Sequence, residues 1–201
     1  MDSTVAAIYA LGAIALAVGL VVVLHFLEPE FDPSWRMPSE YSLGRYGVLM
    51  RVAFLAAGTG VIAIAAALSG SVWPATIVLG LTGIGPIGAA FIDTDPVTTP
   101  RAEFSKRGNA HAAVGSLFIL GFPVAATVVG IAAAGSAAVG PVLAWASIIP
   151  WVTLGWFLST TVRHAPPDGR GSPAVPVGWP IRVSMLAYFG WVALAAVTIL
   201  G

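Results

Sequence analysis

Apolar residues do not alternate with polar ones along this chain. They run in six nearly uninterrupted stretches, at about residues 5–27, 48–68, 72–92, 110–134, 141–162 and 180–200. About 20 apolar residues in a helix cover the roughly 30 Å of hydrocarbon in a bilayer. Transmembrane strands would be about half as long and would alternate apolar with polar. The pattern therefore predicts an all-α polytopic membrane protein, a bundle of six transmembrane helices forming one domain over residues 1–201. No Lys or Arg precedes the first stretch, and Glu28-Pro29-Glu30 follows it instead of a small-residue cleavage site. That argues for a retained helix over a cleaved leader.

The segments between the stretches alternate in kind. Leu27–Gly47, Asp93–Asn109 and Arg163–Trp179 are long and polar, whereas Ser69-Gly70-Ser71 and Gly135–Gly140 are short. Alternation places all three long segments at one end of the bundle. All nine cations fall there: Arg36, Arg45, Arg51, Arg101, Lys106, Arg107, Arg163, Arg170 and Arg182. Eight of the nine carboxylates join them, Asp2 being the exception. Counting cations, the positive-inside rule makes that end cytoplasmic in a multi-pass cell-membrane protein, with both termini outside.

Composition supports this reading. Hydrophobic residues are 58% and charged residues 9%, with a net charge of zero, against about 45–50% and 25% in soluble domains. Mean hydropathy is +0.91. A soluble domain, a disordered chain and a nucleic-acid partner bound through basic patches are excluded; membrane lipid is the expected partner. There is no cysteine, so thiolate chemistry, Cys-ligated zinc and iron–sulfur clusters are out. No other cofactor is indicated. Small residues such as Gly80, Gly83, Gly85 and Gly88 permit close helix contacts and leave room for a homodimer.

Candidate chemistry gathers at the charged end. The pattern places Asp93 and Asp95 at the close of the third helix and His111 at the start of the fourth. A helix C-terminus opposes carboxylates, so the two aspartates call for a positive neighbour; a helix N-terminus favours neutral imidazole. His25 and His164, at helix C-termini, are expected to favour imidazolium or to be interfacial residues. His111 with Asp95 and Asp93 is the candidate acid/base set. No HExxH or close His pair exists, so no metal site is assigned. Arg51 and Arg182 lie about one turn inside their helices, where a buried Arg pairs with a carboxylate, snorkels, or holds a lipid phosphate. Asp93, Asp95 and Glu40 are the carboxylates in range. The tryptophans, among them Trp73, Trp145, Trp151, Trp156, Trp179 and Trp191, read as interface anchors or packing residues.

Three short motifs carry a family resemblance: Ser39-Glu40-Tyr41 with Gly44 and Tyr46-Gly47; Phe91 to Thr94-Asp95-Pro96 followed by Gly108 and His111; and Gly178 with Arg182 and Trp191. In this order, over essentially the whole chain, they resemble the prokaryotic integral-membrane family called domain of unknown function 998. That family is similar to a wider six-helix group with eukaryotic members tied to lipid-anchor remodelling and phosphoinositide regulation. The resemblance implies a six-helix bundle with a lipid-related role, and points to Glu40, Tyr41, Asp95, His111 and Arg182. It supplies no established catalytic residue.

Four functions compete. A membrane enzyme acting on a lipid or isoprenoid would use His111, Asp95 and Asp93 chemically, and Arg51, Arg182, Glu40 and Tyr41 to hold substrate. A non-catalytic lipid-binding or scaffold protein would use the same face for recognition. A small transporter would need ionisable groups at mid-membrane, which the apolar stretches lack. A haem carrier would need two of the three histidines as axial ligands.

Overall fold

A computed structural model describes residues 2–135 and 140–201. Among them every regular element is helical: α1 (Ser3–Leu27), α2 (Gly47–Val72), α3 (Ala75–Phe91), α4 (Lys106–Ala133), α5 (Gly140–Ala146), α6 (Ile148–His164) and α7 (Gly178–Leu200). Five segments are long and apolar enough to cross a membrane: α1, α2, α4, α5 with α6, and α7. The 17-residue α3 is the sixth apolar element; at 1.5 Å per residue it covers about 26 Å. This is the all-α bundle expected of a multi-pass membrane protein.

Several boundaries differ from the sequence expectation, each for a local reason. Helix α2 runs through Ser69-Gly70-Ser71, and the turn falls at Trp73-Pro74. Helix α3 ends at Phe91, so Asp93 and Asp95 lie in the loop beyond it. Helix α4 begins at Lys106 because Ser105 Oγ accepts the Gly108 amide at 2.9 Å, a side-chain N-cap. His111 is therefore in the second turn. The fifth apolar stretch breaks at Ser147, whose Oγ lies 2.7 Å from Leu143 O and 2.9 Å from Ala126 O and accepts from Trp191 Nε1 at 3.0 Å. The expected short connection 135–140 lies largely outside the described residues.

The helices follow one another around a closed ring, α1–α2–α3–α4–α5/α6–α7, with α7 returning to α1. Backbones meet closely between α2 and α3: a Cβ on Gly58 would lie 2.5 Å from Gly83 O, and one on Gly83 2.7 Å from Gly58 O. Larger residues would force the helices apart. At the uncharged end, Phe118, Phe122, Tyr188 and Trp191 fill the ring, with Phe122 stacked on Tyr188 at 4.8 Å. Trp191 is thus a packing residue, while Trp73, Trp145, Trp151, Trp156 and Trp179 face outward.

The three long loops do meet at one end. Gly178 N donates to Ser34 O at 3.1 Å, Gly171 N to Val97 O at 2.7 Å, and Arg101 N to Asp168 O at 3.0 Å. They form a polar cap over the open half of the ring.

Candidate functional site

The cap is tied together by Glu40. It sits in a 3-10 turn, Pro38–Leu43, and is almost wholly buried. One carboxylate oxygen accepts from Arg36 Nη1 at 2.6 Å and from the Val97 amide at 2.9 Å; the other accepts the Met37 amide at 2.9 Å. Val97 in turn passes its carbonyl to Gly171. One carboxylate thus joins the first loop to the second, and one residue joins the second to the third. The partner of Glu40 is Arg36, not Arg51 or Arg182.

Asp95 braces the start of α4. Its carboxylate accepts the Ser105 amide at 2.6 Å and the Ser105 hydroxyl at 2.9 Å, at the helix end where negative charge is favoured. A Cβ on Gly108 would collide with that carboxylate, which gives the Asp95–Gly108 part of the motif a steric reason. Asp93 takes a different partner: Arg51 Nη2 donates to its Oδ1, and Arg107 Nη2 lies 3.3 Å from its Oδ2. The hydrogen bond from Arg51 holds the Asp93 carboxyl below the usual carboxylate range, although partial burial works against it. Arg51 also donates to Ala90 O at 3.0 Å, so it fastens α2 to the end of α3.

Arg182 is buried, and no carboxylate lies within 4.0 Å of it among the described residues. Its Nη1 donates to Arg36 O at 2.7 Å and Gly178 O at 3.0 Å, its Nη2 to Tyr41 Oη at 3.3 Å, and its Nε to His25 Nε2 at 3.0 Å. His25 Nδ1 is 2.6 Å from Val21 O. A carbonyl only accepts, so the proton is on Nδ1 and Nε2 receives the bond from Arg182. That arrangement ties α1 to α7 through one imidazole. Tyr41 is fully buried beneath the guanidinium. His164 sits on the surface, bonded to Thr160 O.

His111 is fixed by the same logic. Its Nδ1 lies 2.7 Å from Ile92 O, so in the neutral ring Nδ1 carries the proton and Nε2 is an acceptor. No protein group bonds Nε2 among the described residues, yet it is not among the sealed, unpartnered atoms, which are Arg36 Nε and Ser42 Oγ. The ring lines a cavity of about 360 Å³, within the roughly 300–1,000 Å³ usual for small-molecule sites.

That cavity lies under the cap, inside the open half of the ring. The wall is apolar: Phe54 of α2, Pro86 and Ala89 of α3, Phe118 of α4 and Met185 of α7. Its outer edge is made by Leu120 of α4 and Leu158 of α6, which are exposed on the outside of the bundle. The roof carries Glu40 and Asp95. Arg51, Arg182, Asp93 and Tyr41 do not line it. Of the seven candidates, the structure brings His111, Asp95 and Glu40 to one cavity and assigns the other four to ties between elements.

Sequence reasoning passed over two features. Glu28, read as a linker acid, is 1% exposed. It accepts the Tyr46 amide, and Gly44 packs directly on its carboxylate. Burial pushes its carboxyl above the ordinary value. The Gly-x-Tyr spacing of Gly44 and Tyr46 was the only available signal. The second is the backbone of Val97, which has no sequence signal at all.

The fold and its polar cap define a multi-pass, all-α membrane protein. A family model described as "Protein of unknown function (DUF998)" matches residues 10–198, and the chain belongs to that family. No curated protein and no solved structure matches it, and the wider six-helix group gains no support from these comparisons.

Proposed function

We propose that this protein binds a membrane amphiphile in the cavity beneath the loop cap, with the polar end of the ligand at His111 and the chain running out between α4 and α6. The observation that carries this reading is His111 Nε2, an acceptor with no protein partner among the described residues, on the mainly apolar wall of a cavity whose roof is polar. Ligand sites are built in this way, from apolar walls and a few placed polar groups. The edge at Leu120 and Leu158 gives the cavity an apolar approach from the side of the bundle.

Binding is favoured over turnover by where the carboxylates are committed. Asp95 accepts two bonds from Ser105, Asp93 is paired with two arginines, and Glu40 accepts three bonds. A general acid or base has to be within reach of the proton it moves, and these groups are engaged elsewhere. We place the cap on the cytoplasmic side, because all nine cations lie there.

Gly115 supplies the test. It lines the cavity from α4, and a Cβ there meets nothing within 4 Å. Gly115→Phe should fill the cavity without disturbing the helix. Native mass spectra of the protein in mild detergent should show a discrete lipid-sized adduct in the wild type and none in Gly115→Phe. The same adduct in both would overturn the reading.

A further inference from the structure

We infer that the ligand is an uncharged long-chain alcohol, a hydroxyl on an apolar chain, that donates its hydrogen bond to His111 Nε2. This inference rests on the amphiphile-binding reading and narrows it to one head-group chemistry.

Charge makes the choice. Among the described residues, the charged side chains lining the cavity are Glu40 and Asp95, both acidic, and no Lys or Arg lines it. Glu40 is matched by Arg36, but Asp95 has no cation within 4.0 Å among the described residues. An anionic head would enter an apolar, acidic space with nothing to neutralise it, and burying an unpaired charge is costly. The arginines that could hold a phosphate are elsewhere. Arg51 is turned to Asp93, and Arg182 donates to carbonyls, Tyr41 and His25.

Hydrogen-bond polarity makes the second choice. With Nδ1–H given to Ile92 O, the neutral imidazole offers the cavity only a lone pair. It therefore selects a donor. An ester, an ether or an ionised acid presents acceptors alone and would leave Nε2 facing another lone pair. A hydroxyl satisfies Nε2, carries no charge, and can be followed by an apolar chain along Phe118 and Leu120.

The experiment compares four ligands of one chain length by native mass spectrometry at pH 8: oleyl alcohol, oleyl methyl ether, oleate and oleyl phosphate. Wild type is expected to bind the alcohol about tenfold more tightly than the other three, since one unsatisfied buried polar group or unpaired charge costs on that order. His111→Leu should bring the alcohol down to the ether, and Gly115→Phe should abolish all binding. Equal binding of alcohol and ether, or preference for oleate or the phosphate, would overturn the alcohol assignment and leave the cavity as an amphiphile site. Binding of none of the four, or equal binding by Gly115→Phe, would overturn both. The ligand-side comparison needs no variant, so poor folding of His111→Leu would not blunt it.

Discussion

The imidazole of His111 on α4 donates to the carbonyl of Ile92, 2.7 Å away at the end of α3. That bond closes the last turn of one helix against the second turn of the next. It also fixes the tautomer that leaves Nε2 as an acceptor on the cavity wall. A structural tie and a candidate recognition group are thus the same side chain.

Glu40 holds the cap together, and removing its charge should loosen all three loops. In Glu40→Ala the acceptors of Arg36, Met37 and Val97 are all removed. The expected loss is about 1.5–3 kcal/mol, the range for hydrogen bonds to a charged group. Hydrogen exchange should rise at the amides of Met37 and Val97 together. A rise at Met37 alone would mean that the link between loops is not carried by Glu40.

Glu28 should cost stability at neutral pH. Its folded pKa is raised above the ordinary 4.5, burial being the main cause, with the neighbouring Glu30 adding to it and the Tyr46 amide opposing. A raised folded pKa means the ionised form is penalised in the fold. The associated stability is complete below the unfolded pKa and is lost as pH rises through the folded one. Glu28→Gln should keep the acceptor for Tyr46 and raise the Tm at pH 7–8, with the gain vanishing below about pH 4.5. Melting curves across that range check it; a gain equal at every pH would contradict the assignment.

Asp93 should behave in the opposite sense. Its folded pKa lies below the ordinary 3.8, chiefly through the Arg51 hydrogen bond. Its contribution is present above the unfolded pKa and is lost as pH falls through the folded one. Both partners are about one-third exposed (36% each), so solvent screening limits the effect of Asp93→Asn to about 1 kcal/mol or less. The difference in Tm from wild type should shrink below pH 3.8 and in high salt. An unchanged difference in acid would assign the effect to packing.

Arg182 is a buried fork, and lysine should not replace it. One ammonium cannot reach Arg36 O, Tyr41 Oη and His25 Nε2 together. Arg182→Lys should destabilise the protein by about 2 kcal/mol or more. The imidazole resonances of His25, assigned by two-dimensional NMR, should shift as Nε2 loses its donor. Unchanged resonances would show that the Arg182–His25 bond is not formed in solution.

What the sequence made legible follows from distance along the chain. Span length is a one-dimensional property, and so is the side on which each cation falls; the apolar helices and the shared charged end were both readable. Pairings across the fold were not. Glu40 and Val97 are 57 positions apart, and His25 and Arg182 are 157 apart. No local pattern chooses Arg36 over Arg51 as the partner of Glu40. Ser105 starts α4 early, so His111 lies beyond the first turn, where the helix dipole fades; the bond to Ile92 O, which no local pattern shows, is what fixes its tautomer. Asp93 beside Arg51 was within reach, because both border the same end of the α2–α3 hairpin. The commitment of Asp95 to Ser105 was not, although Ser105 with Gly108 spells an N-cap once the helix start is known.

The most direct test of the account is where a lipid touches the protein. A long-chain alcohol with a diazirine in its tail can be added to the protein in bilayers, photolysed, and the labelled peptides mapped. Labelling should concentrate on the cavity face of α4, His111 to Leu120, and on Phe157 and Leu158 of α6, and should be lost in Gly115→Phe. Labels spread over the outward faces of α1 and α6, unchanged by Gly115→Phe, would contradict a ligand site beneath the cap.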